Sequence, residues 1–270
     1  YGHYTKMMAP QFVSPYRRGG AAAKNDRNDA RAICEAAGRP DMHFIPLKTI
    51  EQQTMLMVHR VRQGLIVEHT RNVNQLRGLL AEFGIVFPRG VSQLKQRWRE
   101  ARQLHAETLP DVAWEELDVV YARIKAIHQE ILRYDRKINA FVREDERAKR
   151  LATINGIGVI TASALVAAVG NAHEFKNGRQ FAAWLGLTPR QYSTGGKSRL
   201  GRISKRGDPY LRTLLIHGAR SEMTRTAKRD DHKSRWVERL RSHKPWNKVA
   251  VALANKNARV CWAVLNEHPA

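Results

Sequence analysis

The feature that most constrains this chain is an apolar seam whose steps alternate between three and four residues. It runs through Leu117, Val120, Ile124, Ile127, Ile131, Tyr134, Ile138 and Phe141. A 3.5-residue repeat keeps one stripe of a helix facing a partner, so residues 111–147 are predicted to form one long helix with a coiled-coil seam. Residues 49–84 carry Met55, Val58, Val61, Leu65, Val73, Leu76, Leu80 and Phe83 at mostly helical intervals and predict a second long helix. Pro88, within residues 85–90, breaks it. Two such helices joined by a compact linker predict an antiparallel hairpin, a dimerising arm or the core of an ordinary helical bundle.

The flanks read differently. Residues 1–46 suggest a strand over 3–8 and a Gly-rich basic loop containing Arg17, Arg18, Gly19 and Gly20. A helix starting around Asn25 to Asp29 and ending before Gly38 and Pro40 follows, then an extended piece over 43–46. Strand, helix and strand make an α/β edge, too small to be a domain by itself. The strand runs into Pro10 and the chain opens on Tyr1 rather than Met, so it reads as entered in mid-domain. Beyond Lys149 the pattern is of shorter helices and strong basicity.

Charge narrows the partner. A net charge of +22 and a pI near 10.6 exceed what solubility requires and point to a polyanion, with nucleic acid leading. From Gly186 onward there are nineteen Lys and Arg against six Asp and Glu, so the final third supplies thirteen of the net positive charges. A membrane partner is disfavoured, because the basic residues are spread through patterned segments and the longest apolar run, 159–170, is too short to span a bilayer. Cys34 and Cys261 form no CxxC pair, which excludes a zinc ribbon or a disulfide framework and fits a reducing cytoplasm.

Three constellations can carry chemistry. Asp26 and Asp29, three apart at a helix start, project from one face and could share a Mg²⁺ ion, or serve only as helix caps. Gly156-Ile157-Gly158, followed by Ala162 and Leu165, matches a helix-hairpin-helix whose exposed backbone N–H groups would bind a phosphate; the alternative is a tight turn between packed helices. The third is a loop carrying Ser193, Thr194, Gly195 and Gly196, ringed by Arg190, Lys197, Arg199, Arg202, Lys205 and Arg206. Its hydroxyls could attack a phosphate that the cations neutralise, or the loop could only grip phosphates. Gly196-Lys197-Ser198 is not a phosphate loop, since Gln191 stands where that motif needs Gly. Asp230, Asp231 and His232 read as a solvated turn, His217 as packed on an apolar helix, and Trp236, Trp246 and Trp262 as core.

Together KNDRNDARAICEA, NGIG and FAAWLGLTPRQYSTGGKSRLGRISKRGDPYLRTLLIHGAR resemble the DEDD-type insertion-sequence transposases of the one-ten and eleven-eleven groups. The resemblance implies a mainly α chain in three parts. Residues 1–48 would be the C-terminal part of an RNase H-like, resolvase-type metal-binding domain, 49–148 a coiled-coil arm, and 149–270 an α-helical transposase domain with the helix-hairpin-helix. By position, Asp26 and Asp29 match the last two acids of a four-acid Mg²⁺ cluster; the first two would lie upstream of Tyr1, so the chain is a fragment or a decayed copy. The family serine falls on Thr194 by ungapped alignment, with Ser193, a less hindered primary hydroxyl, beside it. The implied activity is DNA recombination by hydroxyl attack on a phosphate. It would be guided by an element-encoded RNA and carried out by a dimer or tetramer in the bacterial cytoplasm, at the nucleoid. A DNA-binding protein without catalysis and a catalytically dead transposase remnant are the rival readings.

Overall fold

A computed structural model describes residues 5–17, 25–40, 42, 44–45, 47–88, 90–194 and 197–267. The predicted features at His3, Arg18, Gly19, Gly20, His43, Pro46, Gly195 and Gly196 lie outside the described residues. The molecule is mainly helical. Near the start, β1 (Met7–Met8) pairs antiparallel with β2 (Phe44–Ile45), and α1 (Pro10–Val13) and α2 (Asp26–Ala37) lie between them. Asn25 caps α2 by accepting from the Asn28 N–H at 2.8 Å, and α2 packs on α1 and the Ser14–Tyr16 turn.

The long helices form where their patterns place them. α3 spans Ile50–Glu82 and α5 spans Asp111–Glu144. Thr49 opens α3 with a capping box: its hydroxyl accepts from the Gln52 N–H, and the Gln52 amide accepts from the Thr49 N–H at 3.0 Å. Both groups answer backbone donors that the first turn leaves unpaired. Thr49→Ala is expected to lower stability by about 1 kcal/mol in urea denaturation, with helical content unchanged.

α3 and α5 run antiparallel and bury their seams against each other. Arg62 on α3 pairs with Asp135 on α5 at 2.6 Å, and the His69 and His128 rings lie 5.9 Å apart one turn or more further out. Leu76 and Leu80 from the end of α3 share a core with Trp114, Leu117 and Ile124 from the start of α5. The seam of α5 is thus satisfied within one chain, as an antiparallel hairpin.

The connection between them is more than a linker. α4 (Val91–Leu104) lays Leu94 and Trp98 into the outer core, where Trp98 stacks on Tyr121 with centroids 4.4 Å apart. Arg102 pairs with Asp118, which also accepts from the Trp98 indole N–H. Two glycines inside α3, Gly64 and Gly78, have open space where a Cβ would stand. Each costs about 1 kcal/mol relative to alanine in a helix interior, and among the described residues no close neighbour requires them.

At its root the hairpin meets the C-terminal core. α6 (Glu146–Ala152) follows α5 after Asp145, whose carboxylate caps it by accepting from the Ala148 N–H. α7 (Val159–Val169) is apolar all round and buried, as that pattern requires; it contacts both α3 and α5. α8 (Gly178–Trp184), α9 (Pro209–Met223), α10 (His232–Arg241) and α11 (Trp246–Asn266) complete this core around Phe181, Leu211, Leu215, Leu253 and Ala254. Among the described residues no helix is long and apolar enough to cross a membrane.

Candidate nucleic-acid interface

The predicted basic loop is a β-hairpin. β3 (Pro189–Thr194) pairs antiparallel with β4 (Lys197–Ile203), with Tyr192 opposite Arg199, Ser193 opposite Ser198 and Thr194 opposite Lys197. The ladder is irregular between Pro189 and Gln191, so Arg190 sits at a bulge, where its guanidinium donates to the Ser204 carbonyl at 3.3 Å. Tyr192 lies across Gly201, where a Cβ would come within 3.3 Å of its ring. Arg190, Arg199, Arg202, Lys205 and Arg206 are exposed, so the hairpin and its base carry an open field of cations. The side chains of Ser193, Thr194 and Lys197 lie outside what the structure describes.

The hairpin is clamped where it leaves the core. Gly186 and Gly207 both have positive φ, at 71° and 83°. A Cβ on Gly186 would overlap the Arg206 carbonyl, and one on Gly207 would overlap the Trp184 carbonyl. Only glycine permits both the conformation and the approach. The Ser204 N–H donates to the Thr188 carbonyl at 2.8 Å and the Lys205 N–H to Gly186 at 3.2 Å, closing the base. Arg212 adds donations to the Leu185 and Arg206 carbonyls, and Asp208 caps α9 by accepting from the Tyr210 N–H at 2.7 Å.

Below the hairpin a groove of about 1220 Å³ runs along α11. Pro189 and Ile203 form its near end, and Arg179, Lys248, Lys256 and Arg259 face it, with Glu267 the one acid among its described lining residues. Lys256 sits over the Trp236 ring at 4.5 Å, and the Trp262 indole donates to the Ala172 carbonyl at 3.2 Å. These cations come from two helices far apart in sequence, α8 and α11, so no single stretch of sequence contains them all. Trp236 and Trp262 pack partly against the core as expected, but Trp246 is substantially exposed beneath Arg241. His217 is also exposed on α9, against expectation, because the inward positions of that helix fall to Leu211, Leu215 and Ala219. Asp231 is the N-cap of α10, its carboxyl held below the usual range by hydrogen bonds from Ser234.

The glycine turn packs closely. Gly156 has φ 86° and is wedged against α9 and α11, where a Cβ would meet the Glu222 carboxylate and the Asn257 amide. Asn257 donates to both Glu222, at 2.9 Å, and the Asn155 carbonyl, while Lys233 pairs with Glu222 at 2.7 Å. Close backbone approach therefore accounts for Gly156. Gly158 is exposed at the N-cap of α7, with no side chain capping that end.

At the root of the helical arm a second buried network appears. His59 contacts the Tyr210 hydroxyl through Nδ1 and Ser163 Oγ through Nε2, both at 3.0 Å. Ser163 donates to the Val159 or Ile160 carbonyl, so the consistent assignment has His59 Nε2–H donating to Ser163 and Tyr210 O–H donating to Nδ1. Burial, and secondarily Arg62, push the His59 pKa down to about 4. Burial also raises that of Tyr210.

At the other end of the chain, Asp26 is exposed in the first turn of α2 and Asp29 is paired with Arg17 at 2.6 Å. Among the described residues no group of three or more His, Cys, Asp or Glu could hold a metal ion.

Residues 148–235 match the family described as "Transposase IS116/IS110/IS902 family", and residues 2–85 match a second family described as "Transposase". A "Probable family 20 transposase" of Pseudomonas aeruginosa is 49% identical over 273 residues, covering 98% of this chain and 78% of that protein. The chain belongs to the IS116/IS110/IS902 transposase family. The transposase of insertion sequence element IS1328 from Yersinia enterocolitica is 42% identical, with 98% and 78% covered. That of IS1111A from Coxiella burnetii is 39% identical, with 97% and 71% covered. The basic hairpin and the groove below it are thus parts of a transposase, an enzyme that acts on DNA.

Proposed function

We propose that this transposase cuts and rejoins DNA by direct attack of a hydroxyl at the end of β3, Ser193 or Thr194, on a DNA phosphate. The observation that carries the reading is the clamped β3–β4 hairpin, with exposed Arg199 one register step from those two positions and exposed Arg190, Arg202, Lys205 and Arg206 towards its base. In the step, the hydroxyl oxygen bonds to phosphorus as the bond from phosphorus to one deoxyribose oxygen breaks, and the proton ends on the leaving oxygen. The phosphoester keeps the energy of the broken bond, so reversal onto another end reseals the strand. Lys197 and Arg199, paired with or next to the two hydroxyl positions, would neutralise the attacked phosphate, and Arg190, Arg202, Lys205 and Arg206 towards the base would hold flanking phosphates.

The remaining finer assignments are proposals of the same kind. Asp26 and Asp29 can each offer a carboxylate oxygen to Mg²⁺, which would have to displace Arg17 and take its other ligands from water, substrate or further acids. Bound there, the ion would supply charge stabilisation at a phosphate. Gly158, at the exposed start of α7, and the basic groove along α11 would hold backbone phosphates of DNA or of a guide RNA. The parts would be an RNase H-like piece over 1–48, an arm over 49–148 and a helix-hairpin-helix transposase domain over 149–270. The active form would be a homo-oligomer in the bacterial cytoplasm, at the nucleoid.

The test is a denaturant-resistant protein–DNA adduct, sought with the element's terminal DNA and RNA and mapped to its residue. Ser193→Ala and Thr194→Ala, singly and together, are expected to identify the attacking group, the double variant binding DNA normally but forming no adduct. An adduct that survives in the double variant would overturn the proposal.

A further inference from the structure

α11 is apolar on two faces. Val249, Leu253, Ala254 and Cys261 are buried in the C-terminal core, while Val251, Ala252, Val260 and Val264 line the outward groove, where a solvated helix is normally polar. Cations edge this apolar floor: Arg179, Lys248, Lys256 and Arg259, none of them in an ion pair among the described residues. Gly178 is buried, and a Cβ there would come within 3.2 Å of the Arg259 backbone, so the close approach of α8 to α11 brings Arg179 and Arg259 to one stretch of the rim. Like charges gathered by backbone packing repel one another until an anion comes between them.

The floor decides which polyanion fits. A duplex turns its phosphates outward and stacks its bases on one another, leaving nothing to bury on valine and tryptophan carbon; a single strand offers phosphates and bare base faces together. Two rings stand ready for those faces. The Trp262 N–H donates to the Ala172 carbonyl, so that ring gives the groove carbon surface only. Lys256 lies over the Trp236 ring at 4.5 Å, a cation-π contact that places a phosphate-binding charge and a stacking surface side by side. From Lys248 to Glu267 the groove follows about 28 Å of helix, long enough for a site at the lower end of the about 4–16 nucleotides that single-strand-binding folds cover.

We propose that this groove holds an unpaired DNA strand, a few nucleotides of the strand that is attacked at the hairpin. Its phosphates lie on Arg179, Lys248, Lys256 and Arg259 and its bases on the apolar floor. The occupant is DNA because Pro189 and Ile203, at the hairpin base, border the groove, and Thr194 stands only about 17 Å further along β3, so one continuous strand reaches both. The identity of the strand rests on the hydroxyl-attack reading. What the groove adds is that the duplex opens beside the cut.

The test uses the 270-residue chain and a thymidine DNA oligomer of about twelve nucleotides, with binding followed by fluorescence anisotropy. An abasic oligomer of the same length keeps every phosphate and is expected to bind about tenfold or more weakly. Equal affinity would mean that only phosphates are gripped and would overturn the proposal. Arg179→Gln with Arg259→Gln is expected to weaken binding and to lower the slope of log affinity against log salt by about 1.4, two contacts at about 0.7 each. An unchanged slope would count against the groove. Thermal melting identifies a misfolded variant, and the abasic comparison needs no variant at all. Iodouracil placed beside the cut in the element's terminal DNA is expected to cross-link to Trp236 or Trp262; no cross-link to either ring, or one from the element's RNA instead, would reject the assignment. The Ser193→Ala, Thr194→Ala double variant is expected to keep both strand binding and cross-link. A chain that forms no adduct but retains these two has failed the hydroxyl reading alone, and an adduct formed without them leaves the hydroxyl reading standing and removes the groove.

Discussion

Gly218→Ala is expected to destabilise the C-terminal core by at least about 2 kcal/mol net, although alanine is the better helix former. Gly218 lies in α9, where a Cβ would overlap the Gly156 carbonyl oxygen. The obstacle is backbone, held by the Asn257 and Lys233 hydrogen bonds to the neighbouring Asn155 carbonyl, so no flexible side chain can swing away. Overpacking of this kind costs about 3 kcal/mol, and the gain in helix propensity returns only about 1. A thermal midpoint lower by about 5 °C or more should follow. An unchanged midpoint would mean that the Gly156 turn can retreat from α9.

Acidification is expected to weaken the root of the arm through His59. Its pKa falls from 6.5 to about 4 in the folded chain, so below pH 6.5 the unfolded chain takes up a proton that the folded chain refuses. Stability is therefore complete above pH 6.5, falls as pH drops and stops falling on this account below about 4. The full loss is roughly 3 kcal/mol, of which about 2 should appear by pH 5, before most carboxylates titrate. Urea midpoints at pH 7, 6 and 5 would measure it. His59→Gln should be less stable at pH 7 but should lose the added slope between pH 6.5 and 5. A wild-type slope that persists in the variant would place the titration elsewhere.

Some of this was legible in the residues. The seam from Leu117 to Phe141 and the pattern from Met55 to Phe83 mark the two long helices within a few positions, because their buried stripes are long and regularly spaced. α4 has no such signal: its stripe of Leu94 and Trp98 is narrow and lies among Arg97, Arg99, Glu100 and Arg102, a composition shared with solvated linkers. In sequence the β3–β4 hairpin looks like a loop because Arg, Ser and Gly dominate it, and its strands are defined by backbone pairing rather than by a buried face. Gly156 stood out as a glycine, but its partner, Gly218, is remote in sequence, and no local pattern announces a close approach between distant backbones. His59 was invisible for the same reason: a histidine between Val58 and Arg60 reveals nothing until Ser163 and Tyr210 arrive from α7 and α9.

The His59 network also has a geometric meaning. From His59 to the outer end of α3 is about 35 Å of helix, so a swing of about 10° at the root would carry the far end about 6 Å. Three hydrogen-bonded side chains therefore act as the bearing of a long lever. Whatever the far end of the arm touches is held in register by the stiffness of a joint that lies beside the beginning of α9, immediately after the basic hairpin.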